Sequence, residues 1–166
     1  ADIPEQIRRQ LDIEIVPLKV HHEGETFLDG VTLTPQQFYD RLAQSDELST
    51  TSQPSPNEFV EAYRKVAGDE KHDIISIHLS SALSGTYQSA VIAKSMLEDE
   101  LQIEVVDSKK ASFANGMIVL AVAEAAKAGK SLQQCREIAE HYVKELKVYF
   151  MVDTLKYLQK GGRIGK

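Results

Sequence analysis

The chain has 166 residues, of which 42% are hydrophobic and 27% charged, and its formal net charge at pH 7 is −6. This length corresponds to about one soluble globular domain with a substantial core, and the negative charge gives no basis for non-specific nucleic-acid binding, which requires a cationic field. The longest apolar run, residues 117–123, is too short for a bilayer span, which needs ~20 residues, so an integral membrane protein is not expected.

The single cysteine, Cys135, excludes an intramolecular disulfide. It falls in a helical pattern, where a cysteine is typically a small, partly buried apolar residue. A reducing cytoplasm is therefore the expected compartment.

The first part of the chain predicts a loop entering a short helix, then a strand and a hairpin. Residues 13–20 alternate apolar and polar side chains, as a strand does, and Pro17 among them indicates an edge position. A turn at residues 22–25 then leads into residues 26–28, which can pair back on the first strand.

Two helices with proline near their first turn are predicted next. Thr34 precedes Pro35, Ser55 precedes Pro56, and the residues between the two helices, 45–55, form a polar loop. The predicted buried stripe of the second helix consists of Phe59, Tyr63 and Val66.

Strand-like and helix-like segments alternate through the rest of the chain. Residues 73–79 and 103–106 are short, apolar and β-branched, which is typical of buried strands. Helices are predicted at 85–97, 112–128 and 131–147, the last with Ser131 and Gln134 in a capping box.

A final apolar strand is predicted at residues 148–152, followed by a short helical turn through Leu158. This alternation predicts an α/β fold with a mostly parallel sheet flanked by helices, in one domain over residues 1–166. A sheet of this kind normally has a strand before its first helix, so we expect the chain to be a fragment of a larger protein.

Hydroxyl side chains cluster between the strand at 73–79 and the helix after it. Ser80, Ser81, Ser84 and Thr86 surround Gly85. The first amides of a helix have no intrahelical partner and its dipole favours negative charge, so this turn suits a carboxylate or a phosphate. A plain helix cap is the alternative, and one hydroxyl would suffice for it.

Two further segments carry candidate binding residues. Thr51 and Ser52 precede Gln53 and Pro54, which favours an extended presentation of the two hydroxyls, although a capped helix start is the commoner use. Arg163 follows a glycine pair, where it can recognise a carboxylate or phosphate in a bidentate manner. A solvated charge is the alternative for this arginine.

Catalytic and metal-binding patterns are weak in this sequence. The run Ala82-Leu-Ser-Gly-Thr86 lacks the first glycine of a nucleophile elbow, and the five histidines show no metal-ligand spacing. His78 lies at the end of a predicted strand and is expected to be a packing residue. We therefore expect no cofactor and no metal. An enzyme or binding domain for a phosphate-bearing metabolite stays open as the alternative function.

Five motifs together resemble the DegV family of bacterial fatty-acid-binding proteins, in matching order over essentially the whole chain. They are Ala1-Asp-Ile-Pro4, Thr51-Ser-Gln-Pro-Ser55, Leu79-Ser-Ser-Ala-Leu-Ser-Gly-Thr-Tyr-Gln-Ser-Ala90, Val106-Asp-Ser108 and Asp153-Thr-Leu-Lys-Tyr-Leu-Gln-Lys-Gly-Gly-Arg-Ile164. The resemblance implies two α/β domains with a long-chain fatty acid, such as palmitate, between them. It also implies that the family's opening strand, before residue 1, and its second domain are absent here.

The resemblance further implies a non-catalytic lipid carrier. Thr51 and Ser84 would hold the carboxylate, and some members are similar to the subunit that presents a fatty acid to a separate ATP-dependent fatty acid kinase. The remaining candidates for contacts with the ligand are Ser52, Ser81, Gly85 and Arg163.

Overall fold

The computed structural model describes residues 2–45 and 47–164, so Ala1 of the first motif and residue 46 of the predicted polar loop lie outside the described residues. Within these ranges the chain forms seven helices and five strands. In chain order they are α1 (Glu5–Gln10), β1 (Lys19–His22), β2 (Glu25–Leu28), α2 (Pro35–Gln44), β3 (Thr50–Ser52), α3 (Pro56–Ala67), β4 (Ile74–His78), α4 (Thr86–Met96), β5 (Ile103–Asp107), α5 (Ser112–Lys127), α6 (Leu132–Glu145) and α7 (Lys156–Lys160).

The strands form two sheets. Strands β4 and β5 are parallel, with Ile74 opposite Ile103 and His78 opposite Asp107. Helices α3 and α4 pack on this pair, as do α5 and α6. The predicted α/β fold with a parallel sheet flanked by helices is confirmed. The other three strands form an antiparallel sheet in the order β2-β1-β3.

Two apolar clusters lie on opposite faces of the parallel pair. Ile74 belongs to a cluster with Phe59 of α3 and Leu97 after α4. Ile75 and Ile77 pack against a second cluster, which is centred on α5 and α6. Because successive strand residues point to opposite faces, the alternation along β4 separates the two helix layers.

Helix α3 has a capping box of Ser55 and Glu58 and buries Phe59, Tyr63 and Ala67. The predicted burial of Val66 is wrong, because this residue stands at the border of the buried stripe and is 39% exposed. The predicted box at Ser131 is present at the start of α6.

The N-terminal sheet differs from the sequence expectation. Regular pairing begins at Lys19 rather than at residue 13, and β1 is the central strand rather than an edge strand. Pro17 precedes the paired residues, so its missing N–H removes no hydrogen bond from the sheet. The predicted hairpin is confirmed, with Glu23 and Gly24 both at positive φ, as a two-residue turn requires.

The predicted polar loop at 45–55 contains β3, in which Thr51 lies opposite Val20 of β1. Pairing with a distant strand thus decides the conformation of a segment whose local composition is that of a loop.

The predicted strand at 148–152 is wrong. These residues have no strand partner among residues 2–45 and 47–164, and a strand needs such a partner for its backbone groups. The most exposed of them are Tyr149 and Met151, at 91% and 96%. The short helix predicted after them is α7, before which the Thr154 hydroxyl accepts a hydrogen bond from the Lys156 N–H at 3.2 Å.

Cys135 is buried on α6, and burial raises the pKa of its thiol. None of the helices described here is long and apolar enough to cross a membrane. Over the same residues, no three His, Cys, Asp or Glu side chains are grouped in a way that could hold a metal ion.

Candidate anion-binding site

The serine-rich turn between β4 and α4 is held by backbone hydrogen bonds. The N–H of Ser80 donates to the carbonyl of Lys110 at 2.8 Å, which ties the turn to the segment after β5. The carbonyl of Ser80 accepts from the N–H groups of Leu83 and Ser84, at 2.9 and 3.2 Å. The turn is therefore fixed at the carboxyl edge of the parallel strands, where ligands bind in open α/β sheets.

Helix α4 begins without a side-chain cap at its N-cap position, which is Gly85. The Ser84 hydroxyl accepts a hydrogen bond from the Thr86 N–H at 3.3 Å and lies 2.9 Å from the Thr86 hydroxyl. Ser84 is half-buried and Thr86 is buried. Ser84 thus satisfies one amide at the start of α4 without being its N-cap residue, whereas α2, α3 and α6 begin with complete capping boxes.

The hydroxyl of Ser81 is engaged by a carboxylate. It donates to Oδ2 of Asp107 at 2.6 Å, and the Ser81 N–H donates to Oδ1 of the same residue at 3.2 Å. A hydroxyl has one hydrogen, so while this bond is made Ser81 has no hydroxyl donor left for an anion. Its predicted contact with the ligand stays a prediction.

The side chains of Thr51 and Ser52 leave β3 in opposite directions, as successive strand residues do. The Ser52 hydroxyl lies 2.9 Å from Nε2 of His21, whose Nδ1 lies 3.0 Å from the Thr26 hydroxyl. The exposed hydroxyl of Thr51 has no hydrogen-bond partner among the residues that the structure describes. The two candidates of this motif therefore differ in their surroundings.

Gln53 links the segment of Thr51 and Ser52 to the serine-rich turn before α4. A Cβ atom built on Gly85 would lie 2.8 Å from Nε2 of Gln53 and 3.1 Å from its Cδ. The carboxamide of Gln53 thus contacts Gly85, the N-cap residue of α4, and Pro54, the next residue along the chain, is fully buried. Both segments, the one with Thr51 and the serine-rich turn before α4, belong to motifs identified from the sequence, and in the structure they are in contact.

Arg163 lies after α7 in an exposed turn. Its Nη1 donates to the carbonyl of Gly161 at 2.6 Å, and Gly162 has a φ of +70°. Among residues 2–45 and 47–164 its guanidinium makes no hydrogen bond to Thr51 or Ser84. The predicted contact of Arg163 with the ligand stays a prediction.

A buried row of polar side chains lies below the serine turn. The Tyr63 hydroxyl donates to the Ser76 hydroxyl at 2.8 Å, and that oxygen lies 2.7 Å from Nε2 of His78. Burial lowers the pKa of His78 to about 4, although Asp107 acts in the opposite sense, and raises that of Tyr63 to about 12. His78 is therefore neutral at pH 7, and its expected packing role is confirmed by its burial against the Phe59 ring.

A cavity of about 630 Å³ borders β4 and reaches Thr86. Residues 73–79 line it without a gap, together with side chains of α3 and α5. Residues that point to both faces of a strand can share one cavity only along the strand edge. The cavity also contacts Asn115, whose buried Oδ1 has no hydrogen-bond partner in the described part of the chain.

Comparison with known proteins gives one family. The family described as "Uncharacterised protein, DegV family" matches residues 1–166. Protein DegV of Bacillus subtilis is 39% identical over an alignment 166 positions long, which covers 99% of this chain and 58% of that protein.

Two solved structures are similar over nearly the whole chain. One is the crystal structure of DegV, a fatty acid binding protein from Bacillus subtilis, with a TM-score of 0.90 and 38% identity, covering 98% of this chain and 57% of that one. The other is a stearic acid-binding protein from Eubacterium ventriosum, with a TM-score of 0.84 and 30% identity, covering 99% and 58%. The chain thus spans less than two thirds of the length of these proteins.

Proposed function

The chain belongs to the DegV family, and we propose that it binds a long-chain fatty acid whose carboxylate is held by Thr51 and Ser84. The observation that carries this proposal is the contact of Gln53 with Gly85. This contact brings the segment that carries the exposed Thr51 against the serine-rich start of α4, at the carboxyl edge of β4. The similar proteins from Bacillus subtilis and Eubacterium ventriosum, described as binding a fatty acid and stearic acid, support the choice of ligand.

The donors at this site suit a carboxylate whose alkyl chain is buried in apolar surroundings. Hydroxyls and the first amides of α4 are neutral, so no Lys or Arg has to be buried beside the alkyl chain. Hydrogen bonds to a charged group contribute about 1.5–3 kcal/mol each. Burial of each CH₂ contributes about 0.8 kcal/mol, so the alkyl chain supplies most of the affinity and its length dependence.

The cavity beside β4 suits a polypeptide strand better than an alkyl chain. An alkyl chain offers no hydrogen bonds to the edge of β4 that has no strand partner among residues 2–45 and 47–164, or to the buried Oδ1 of Asn115. A polypeptide strand offers both, and the chain covers 57% of the Bacillus subtilis structure. We propose that a further strand, expected from the resemblance to precede residue 1, occupies this edge in the longer protein.

Hydrogen exchange separates the two occupants. Palmitate is added to the 166-residue chain, and the exchange of the backbone amides of β4 and of residues 84–86 is followed. We expect slower exchange at residues 84–86 and no change in β4. Slower exchange along β4 would assign the cavity to the alkyl chain instead.

An acyl-chain series tests the proposed function. Saturated fatty acids of increasing length, and inorganic phosphate as a competitor, are titrated against the protein. We expect each added CH₂ to strengthen binding by about fourfold for as long as the added group is buried, without competition from phosphate. A flat response with phosphate competition would favour the phosphate-metabolite alternative.

The role of Arg163 is a separate proposal. Because its guanidinium is exposed and makes no hydrogen bond to Thr51 or Ser84 within residues 2–45 and 47–164, we propose that it faces a protein partner, with an ATP-dependent fatty acid kinase subunit as the candidate. In Arg163→Ala we expect palmitate affinity to stay within about twofold of the parent and association with the kinase subunit to weaken. A loss of palmitate affinity would place Arg163 at the head group.

A further inference from the structure

Gly85 has an ordinary backbone conformation. Its φ of −73° and ψ of 2° are accessible to any residue. What a side chain at this position would meet is the carboxamide of Gln53, with Nε2 at 2.8 Å and Oε1 at 3.5 Å from the position of a Cβ atom. A side chain at this position would therefore displace the Gln53 carboxamide, the flexible end of an exposed side chain, without straining the backbone of Gly85.

The backbone around Gln53 is fixed on both sides. Residues 50–52 pair with β1, and Pro54 is fully buried. Ser55 then begins α3 with a capping box to Glu58, whose carboxylate also lies 3.0 Å from Nζ of Lys19. The backbone position of Gln53 is thus set by the fold rather than by a free loop.

The carboxamide of Gln53 is nevertheless left without a hydrogen-bond partner among residues 2–45 and 47–164, and Gln53 is exposed. Its NH₂ group carries two donors. At the start of α4 the Ser84 and Thr86 hydroxyls are bonded to each other. The two N–H donors of Gln53 lie against Gly85, beside these hydroxyls, and are not engaged by any of the described residues.

We propose that the Gln53 carboxamide is a third donor to the ligand carboxylate and determines selectivity for a charged over an uncharged head group. The inference rests on the proposed function, since it assigns a further contact at the same site. Gln53 adds hydrogen bonds without adding charge. It favours an anion because a hydrogen bond to an ionised group is stronger than one to a neutral group.

Two variants and one pair of ligands test this assignment. Gln53→Glu replaces the donors with a carboxylate of nearly the same shape, and Gly85→Ala displaces the carboxamide without a change of charge. Gln44→Glu, on the exposed end of α2, introduces the same charge away from the site. Each protein is titrated with palmitate and with hexadecanol, which has the same chain length and no charge, and its fold is checked by circular dichroism.

We expect Gln53→Glu and Gly85→Ala to weaken palmitate binding about tenfold or more, with a smaller effect on hexadecanol and no effect of Gln44→Glu. Unchanged palmitate affinity in both site variants would overturn the inference and leave the proposed function standing. Equal losses for palmitate and hexadecanol would also overturn it, because Gln53 would then act on the alkyl chain or the fold. A parent protein that binds neither ligand would overturn the proposed function, and this inference with it.

Discussion

The hydroxyl of Ser52 lies 2.9 Å from Nε2 of His21. Since Thr51 is its neighbour on a strand, the Thr51 side chain leaves β3 on the opposite face. Gln53, two residues after Thr51, contacts Gly85 at the start of α4. The His21 bond therefore distinguishes two adjacent hydroxyls that the sequence presents as equivalent.

The first prediction compares these two hydroxyls. Thr51→Val keeps the shape of the side chain and removes its donor, and we expect palmitate affinity to fall about tenfold. Ser52→Ala is the matched control, for which we expect a change of less than about threefold. Fluorescence titration with palmitate measures both. Equal losses would show that Ser52 shares the contact.

The second prediction uses two of the capping boxes. Ser55→Ala and Ser131→Ala each remove a hydroxyl that accepts a backbone N–H at 3.3 Å. Each is expected to lower the free energy of unfolding by about 1 kcal/mol, measured by urea denaturation. Only Ser55→Ala is expected to weaken palmitate binding, because Ser55 ends the segment that carries Thr51 and Gln53. An equal effect of Ser131→Ala on binding would argue against that local coupling.

The third prediction concerns pH. The pKa of His78 is lowered from 6.5 to about 4, so between these values the unfolded chain binds more protons than the folded one. The contribution of His78 to the free energy of unfolding is fully present above about pH 6.5. As the pH falls toward 4 this contribution is lost, which lowers the free energy of unfolding by on the order of 3 kcal/mol. Urea denaturation across this range measures it.

His78→Gln is expected to reduce this dependence on pH. His72→Gln, at an exposed site, is the control and is expected to retain it. If His78→Gln lost stability with falling pH as strongly as the parent protein does, the assignment of this loss to His78 would be contradicted.

The fourth prediction tests the core beneath the site. Leu97 is 1% exposed and its neighbour Met96 is 53% exposed. We expect Leu97→Ala to lower the free energy of unfolding by about 2–5 kcal/mol and Met96→Ala by less than about 0.5 kcal/mol. Thermal and urea unfolding of the two variants are compared. Similar losses would mean that α4 packs differently.

Features that depend on a few neighbouring residues were predictable from the sequence. The two partners of the capping box, Ser131 and Gln134, are three positions apart, and the two-residue turn at Glu23 and Gly24 is equally local. The parallel strands were predicted because their apolar, β-branched residues lie between helical segments.

Features that depend on distant pairing were not predictable. β3 is a strand because it pairs with β1 about thirty residues earlier. The same pairing makes β1 the central strand of its sheet and directs the side chains of Thr51 and Ser52 to opposite faces. The apolar run at 148–152 is not a strand, since apolar character alone supplies no partner for the backbone.

The same distinction applies to the candidate site. Ser84 and Thr51 were named from short motifs, but the role of Gln53 follows from its contact with Gly85, 32 positions away in the chain. The motif Thr51-Ser-Gln-Pro-Ser55 contains Gln53, and this is the signal that could have drawn attention to it. The row of Tyr63, Ser76 and His78 requires α3 to pack on β4 and has no motif of its own.

Native mass spectrometry of the protein purified from bacteria tests the central claim most directly, with Ser84→Ala measured beside the parent. We predict a parent species heavier than the chain by one long-chain fatty acid, with that species strongly reduced in Ser84→Ala. A parent chain that carries no fatty acid, even after incubation with an excess of palmitate, would contradict the claim.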